Sequence, residues 1–162
     1  MSRYDKIVGK ITSAEKIKPI LTELQNQGKK IVFTNGCFDI IHRGHVEYLA
    51  KSASLGDYMV LGLNSDASVR RLKGESRPVQ DEYSRAVILA GMEFIDAVIL
   101  FEEDTPYELI KIIEPDILAK GADYKPESIV GYDIVKARGG EILTVELTEG
   151  FSTSSIIKKI NS

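Results

Sequence analysis

The chain has 162 residues, 43% of them hydrophobic and 28% charged, which suits one folded domain with an ordinary core and excludes a disordered chain. A net charge of −3 and a sequence pI of about 5.5 exclude a nucleic-acid binder built on a basic face. One cysteine excludes a disulfide framework, the N-terminal residues lack a signal-peptide core, and no apolar run approaches the roughly 18 residues of a membrane span; we expect a soluble cytoplasmic protein that binds neither nucleic acid nor membrane.

Residues 13–27 place Ile17, Ile20, Leu21 and Leu24 at helical spacing. Pro19 fits if it lies near the first turn, and Gly28 ends the helix. A buried strand, Ile31-Val32-Phe33, runs into an expected turn at Thr34-Asn35-Gly36. The next helix puts Val46, Leu49, Ala50 and Ala53 on one face and closes at Gly56. Residues 58–63 form a second strand, and 65–72 a short helix. Residues 81–92 form a stronger helix with Val87, Ile88 and Gly91 expected inward. Residues 97–101 make the third strand, 106–113 a helix with proline at its first turn, 116–119 the fourth strand, 141–147 the fifth and 153–160 the last helix.

Strands that are apolar without alternation are buried on both faces, and their alternation with helices predicts an α/β three-layer sandwich around a five-stranded parallel sheet. Residues 1–28 are expected to form a helical extension packed on a domain of residues 29–162. Ligands of such sheets bind beyond the carboxyl ends of the strands. That rule points to Thr34-Asn35-Gly36, Asn64-Ser65-Asp66, Lys120-Gly121-Ala122-Asp123 and the segment after Leu147.

Both histidines of the chain fall in His42-Arg43-Gly44-His45, where the first long strand hands over to its helix. A helix N-terminus carries unpaired N–H groups and partial positive charge, and Gly44 allows a phosphate close to the backbone. Two imidazoles there can donate to phosphate oxygens. Two other readings stay open. The rings could cap the helix or pack in the core, or they could bind a metal with Asp39 as third ligand. No further His or Cys completes a familiar metal-site spacing, and no metal site is expected.

Thr34-Asn35-Gly36-Cys37-Phe38-Asp39 followed by His42-Arg43-Gly44-His45 resembles the signature of the cytidylyltransferase-like nucleotidyltransferases, Gly-x-Phe-Asp and then His-x-Gly-His. Gly150-Phe151-Ser152-Thr153-Ser154-Ser155 resembles that family's Ile-Ser-Thr-Thr segment. Within the family, Asn64 to Val79 and Lys120-Gly121-Ala122-Asp123-Tyr124-Lys125-Pro126-Glu127 are similar to the heptose 1-phosphate adenylyltransferases. In many bacteria that activity is fused to a sugar kinase, so the resemblance implies a stand-alone form working beside a separate heptose kinase. The glycerol-3-phosphate cytidylyltransferases carry an arginine where this chain has Leu147 and lack the Lys-Gly-x-Asp-Tyr-Lys-Pro stretch.

The resemblance implies a Rossmann-like fold and transfer of a nucleotide from ATP, accompanied by Mg2+, to D-glycero-β-D-manno-heptose 1-phosphate, feeding lipopolysaccharide or surface-polysaccharide synthesis. A CTP-dependent glycerol-3-phosphate enzyme and a nucleotide sensor without turnover are the alternatives, and a homodimer is possible by analogy. The resemblance also implies catalytic roles for His42, His45 and Arg85. It places Thr34, Asn35, Gly36, Cys37, Phe38 and Gly44 against the nucleotide, with Ser152, Thr153, Ser154 and Ser155 as a second phosphate cradle. Asp39, Asp66, Lys73, Arg77, Lys120 and Asp123 are the candidates for binding the sugar phosphate. Phe38 could equally be core, and Cys37 reads as a small buried side chain. A single serine would suffice to cap the last helix, and charged loops such as that of Lys73 and Arg77 are often merely solvated.

Overall fold

The computed structural model describes residues 1–162. In chain order the elements are α1 (Arg3–Val8), β1 (Ile11–Thr12), α2 (Ala14–Asn26), β2 (Ile31–Gly36), α3 (Arg43–Ala53), β3 (Tyr58–Asn64), α4 (Asp66–Lys73), α5 (Glu82–Ala90), β4 (Ala97–Phe101), α6 (Tyr107–Ile113), β5 (Ile117–Gly121), a 3-10 turn (Pro126–Ser128), α7 (Tyr132–Ala137), β6 (Glu141–Val145) and α8 (Thr153–Ile160). The strands form one sheet in the order β1-β4-β3-β2-β5-β6, and every pairing is parallel.

Six strands stand where the sequence predicts five. The extra one, β1, pairs only Ile11 and Thr12 with Val98 and Ile99. Two residues are too short to leave a periodicity in the sequence. Helices α1 and α7 and the 3-10 turn are likewise additions.

Along each central strand the side chains alternate between two cores, as strand geometry requires. Ile31 and Phe33 point to one core with Ile17, Leu21, Ile110, Ile113 and Val135. Val32, between them, joins the other core with Leu49, Met59, Leu61, Ala86 and Leu89. Helices α2, α6 and α7 therefore cover one face and α3 and α5 the other. Both faces are greasy, which is why the strands read as unbroken apolar runs.

Three expectations change. Thr34-Asn35-Gly36 is not a turn: it continues β2 and pairs with Leu61, Gly62 and Leu63. Pro19 sits beyond the first turn of α2, which starts at Ala14. The inward faces of α3 and α5 also differ from prediction. Helix α3 buries Gly44, Tyr48, Leu49 and Ser52 and leaves Val46 exposed. Helix α5 buries Arg85, Ala86, Leu89 and Ala90, with Ile88 outward and Gly91 past its end. The cause is common to both: polar side chains with full hydrogen bonding occupy inward positions that hydropathy assigns to water. Tyr48 bonds Thr34 Oγ1 at 2.8 Å and the Ala119 carbonyl at 3.3 Å, and Ser52 Oγ donates to the Tyr48 carbonyl at 2.8 Å.

All carboxyl ends lie at one edge of the sheet. The strand order reverses direction between β2 and β5, so the crevice of a doubly wound sheet opens there. No helix is long and apolar enough to cross a membrane.

Candidate active site

A cleft of about 670 Å3 lies at that edge, within the size range of small-molecule sites. Asn35, Gly36, Cys37, Phe38 and Asp39 enter it from the end of β2, His42, Gly44 and His45 from α3, and Lys120 and Asp123 from the end of β5. Ser152, Thr153 and Ser154 enter from the start of α8, and Lys73 and Arg77 from the segment after β3. Four predicted residues do not line it: Thr34, Asp66, Arg85 and Ser155.

The histidines sit where β2 crosses to α3. His42 is the N-cap of α3: its Nδ1 accepts from the His45 amide, and the His45 Nδ1 accepts from the His42 amide, both at 3.3 Å. The capping alternative is therefore correct for one nitrogen of each ring. Because both Nδ1 atoms accept, the proton of each neutral imidazole resides on Nε2. The rings stack 3.7 Å apart at 19°. Burial lowers the pKa of His42. Burial, reinforced by the adjacent His42 ring and partly opposed by the Ile40 carbonyl, takes His45 down to about 4. At neutral pH the pair thus supplies two uncharged N–H donors beside the positive end of a helix.

The loop carrying them is tightly built. Phe38, only 7% exposed, meets His45 edge-on at 5.3 Å and has a left-handed φ of 45°, uncommon for a residue with a side chain. A Cβ on Gly36 would come within 2.8 Å of its ring. Phe38 is therefore a packing residue behind His45. A Cβ on Gly44 would lie 3.1 Å from both the His42 ring and the Phe151 Cβ, so this glycine is needed for close packing inside the protein itself. Burial pushes the Cys37 thiol up, against the opposing pull of Lys73, Arg85 and Arg77; a protonated thiol is a poor nucleophile.

Beside this loop, Ser152 caps α8 by accepting from the Ser155 amide at 3.0 Å. Thr153 Oγ1 donates to the Ile40 carbonyl at 3.3 Å. Ser154 faces the cleft. Ser155 is occupied with Ser152, so three of the four hydroxyls meet the cleft.

Arg85 is a structural bracket rather than a group aimed at ligand. It is fully buried. Its Nε donates to the Gln80 carbonyl at 3.0 Å, its Nη1 to the carbonyls of Cys37 and Asn64 at 2.7 and 2.9 Å, and its Nη2 to Asp66 Oδ1 at 2.8 Å. It thereby ties together the ends of β2 and β3 and the loop before α5, and it occupies one oxygen of Asp66, a candidate for binding the sugar phosphate. Thr34 is likewise spent, buried on Tyr48.

The Asp39 carboxylate is wrapped by Arg77 Nε at 2.7 Å and by the amides of Val79 and Gln80 at 2.8 to 2.9 Å. Burial works against its charge, yet the Gln80 and Val79 amides and Arg77 together hold its pKa below the usual range. Partial burial lowers the pKa of Lys120 against the pull of Asp123, and its Nζ lies 5.8 Å from the Tyr124 ring. Asn35 Oδ1 is buried without a partner.

No three His, Cys, Asp or Glu side chains are grouped to hold a metal, and Asp39 is already saturated. The donor set does not fit a protein-held Mg2+; a divalent ion would have to arrive on substrate phosphates.

Several cleft residues were missed in the sequence. Tyr48 lies one turn beyond His45 and was legible only as a helix residue. Thr148 stands next to a predicted segment, and Tyr124 and Leu147, quoted within predicted segments, were given no contact with ligand. Gln80, which stands behind the cleft and donates to the Asp39 carbonyl at 2.9 Å, carries no signal at all.

Two comparisons with curated proteins agree. Bifunctional protein HldE of Wolinella succinogenes is 53% identical over 151 residues, covering 93% of this chain and 31% of that protein. Bifunctional protein HldE of Campylobacter jejuni subsp. jejuni serotype O:6 is 57% identical over the same length and shares. The chain thus spans about a third of the length of these relatives. Among solved structures, the lipopolysaccharide core biosynthesis protein of Thermoplasma volcanium superposes with a TM-score of 0.59 at 29% identity, covering 75% of this chain and 98% of that one. Pantoate-beta-alanine ligase of Francisella tularensis superposes with a TM-score of 0.58 over 93% of this chain and 76% of its own; at 16% identity it speaks for the fold alone. The cytidylyltransferase-like family model matches residues 33–159, from the middle of β2 to the last turn of α8, and the chain belongs to that family.

Proposed function

We propose that the protein transfers the adenylyl group of ATP to D-glycero-β-D-manno-heptose 1-phosphate, giving ADP-heptose and pyrophosphate. The observation that carries the reading is the pair of Nε2–H donors locked onto the N-terminus of α3, in one cleft with the hydroxyls that open α8. Two helix N-termini facing one cleft make a site for several phosphates. The identity to proteins named HldE supports the choice of sugar.

In this reading a phosphate oxygen of the sugar phosphate attacks the α-phosphorus of ATP. The bond from that phosphorus to the bridging oxygen breaks, and pyrophosphate leaves with the electron pair. A phosphomonoester has a second pKa of about 6, so the nucleophile needs no general base. His42 and His45 donate to the triphosphate and stabilise the charge gathering on the leaving group. Ser152, Thr153 and Ser154 hold the triphosphate from the other wall, while Lys73 and Lys120 offset its charge. Asp123 and the Asn35 amide remain polar contacts for the substrates, and Mg2+ enters as part of the ATP complex.

Residues 29–162 carry this chemistry; residues 1–28, expected as an extension packed on them, instead supply strand β1 to the same sheet and Ile17 and Leu21 to its core. A heptose kinase supplies the sugar 1-phosphate, the setting is cytoplasmic and the product feeds lipopolysaccharide synthesis. The homodimer common in the family belongs to the same reading. Leu147 supplies an apolar side chain to the cleft where the glycerol-3-phosphate enzymes have arginine, which disfavours that substrate. Pyrophosphate release measured for ATP and CTP, each with heptose 1-phosphate and glycerol 3-phosphate, tests the proposal. Turnover is expected for ATP with heptose 1-phosphate. Turnover confined to CTP with glycerol 3-phosphate, or ATP binding with no turnover, contradicts it.

A further inference from the structure

We infer that Asp39 is a positioning residue that fixes Arg77 as the docking group for the phosphate of the acceptor sugar, on the β3 side of the cleft. The inference rests on the nucleotidyl-transfer reading above and deepens it by assigning the second phosphate its own receptor.

The Asp39 carboxylate is 1% exposed. Both its oxygens are engaged, by Arg77 Nε and by the amides of Val79 and Gln80. Gln80 Nε2 returns a bond to the Asp39 carbonyl at 2.9 Å, so the backbone at 39 and the loop 77–80 are zipped together. The far end of the loop is pinned as well, because Arg85 Nε takes the Gln80 carbonyl at 3.0 Å. A carboxylate with three donors already on it is poorly placed to bind a sugar hydroxyl or a metal. Its consequence is the orientation of Arg77.

Arg77 contributes only its Nε to that pair. Its side chain is 15% exposed, it lines the cleft, and neither Nη has a protein partner within hydrogen-bonding distance. Asn35 Oδ1 is the one side-chain polar atom buried without a partner, so the unbonded outer fork of Arg77 is open to the cleft and free to take an anion. The fork matches two phosphate oxygens at once, which a lysine ammonium does not.

The sheet order decides which phosphate this is. Ser152–Ser154 follow β6 and Lys120 ends β5, strands on one side of β2, whereas Arg77 follows β3 on the other; the two approaches meet the β2–α3 loop at neighbouring residues, Thr153 at the Ile40 carbonyl and Arg77 at Asp39. The histidines follow directly on the same loop, at the start of α3. In-line displacement needs the attacking and leaving groups on opposite sides of the transferred phosphorus. With the leaving pyrophosphate on the α3 and α8 N-termini, the attacking phosphate falls to Arg77.

Steady-state kinetics of Arg77→Lys and Asp39→Asn test this. Arg77→Lys is expected to raise the KM for heptose 1-phosphate about tenfold or more, as loss of a charged, bidentate contact should, with the KM for ATP changed less than about twofold. Asp39→Asn is expected to give the same acceptor-specific rise, and the double variant to be no worse than Arg77→Lys, since the two act as a unit. A rise in the ATP KM instead, or additive effects, overturns the inference. Should Asp39→Asn fail to fold, Arg77→Lys and Arg77→Gln decide alone, and an unmoved acceptor KM overturns it. Binding of inorganic phosphate to the complex with α,β-methylene ATP, followed by calorimetry, separates this from the parent proposal. If heptose 1-phosphate is not turned over but phosphate binds and Arg77→Lys abolishes it, only the substrate assignment fails. If phosphate does not bind the wild-type complex, the inference fails.

Discussion

Helices α3 and α8 both aim an N-terminus into the cleft, but they are anchored by different means. Helix α3 buries Gly44, Tyr48, Leu49 and Ser52, and its loop is backed by Phe38 and bracketed by Arg85. Helix α8 buries no residue; Ile160 is 74% exposed. It is fastened instead by contacts around its start: Thr148 to Glu47, Thr153 to Ile40, and Arg43 over the Phe151 ring at 5.3 Å. The donors assigned to charge stabilisation therefore sit on the rigid wall, where preorganisation costs nothing during reaction. The hydroxyl cradle sits on the wall of low local stability, the one able to yield when a nucleotide enters or leaves.

The largest test of that contrast is Arg85→Met, which strips the rigid wall of its bracket. Removing one partner of a buried charge network costs about 3–5 kcal/mol, and urea denaturation should show a loss of that size. A loss below about 1 kcal/mol would mean that the strand ends are held by something else. Next is His45→Ala, expected to lower kcat/KM by at least about 10²–10³, roughly 2.7–4 kcal/mol of transition-state stabilisation. A fall of less than about tenfold removes the role assigned to the ring.

Acid sharpens the comparison without substitution at the cleft. The unfolded chain takes up a proton on His45 near its ordinary pKa of 6.5, while the folded chain resists until about 4. Stability should therefore fall as the pH drops from 6.5 towards 4, and this slope ends once the folded form is also protonated. The carboxylates with lowered pKa are Asp5, Glu15, Asp39, Glu47, Asp81 and Glu114, whose ordinary values are 3.8 for Asp and 4.5 for Glu. Their contribution is lost below those values, so melting temperatures between pH 6.5 and 5 report the histidines. His45→Asn should remove most of the slope in that interval; an unchanged slope contradicts the burial of the ring. The smallest effect is expected from Glu47→Gln, which loosens the part-buried Thr148 fastening of α8 and the Arg43 pair beside it. The ATP KM should rise roughly two- to fivefold, in keeping with a contact near the surface, with kcat and melting temperature unmoved. A collapse of kcat would show that the second wall is as preorganised as the first.

The parallel sheet and the cleft's position were legible because central strands covered on both faces leave apolar runs, and because strand ends in such sheets share one edge. The two-residue β1 left no such trace. The inward faces of α3 and α5 were misphased where Tyr48, Ser52 and Arg85 satisfy their polar atoms inside. Among the site residues, His42 and His45 were readable from rarity, spacing and the adjoining glycine. Arg85, Asp66 and Asp39 were placed in the right region with the wrong partners. Residue type and position carry no record of which acceptors saturate a guanidinium, nor that Asp39 spends both oxygens on a loop some 40 positions away.

The central claim is that a triphosphate lies against two Nε2–H donors. The chain holds only two histidines, so their ring nitrogens can be followed by nitrogen-15 NMR at neutral pH without ambiguity over other imidazoles. The account predicts both rings in the Nε2-protonated tautomer in the free protein, with both Nε2 signals shifting when ATP is added. Saturable ATP binding that leaves both signals in place, or protons found on Nδ1, would contradict it.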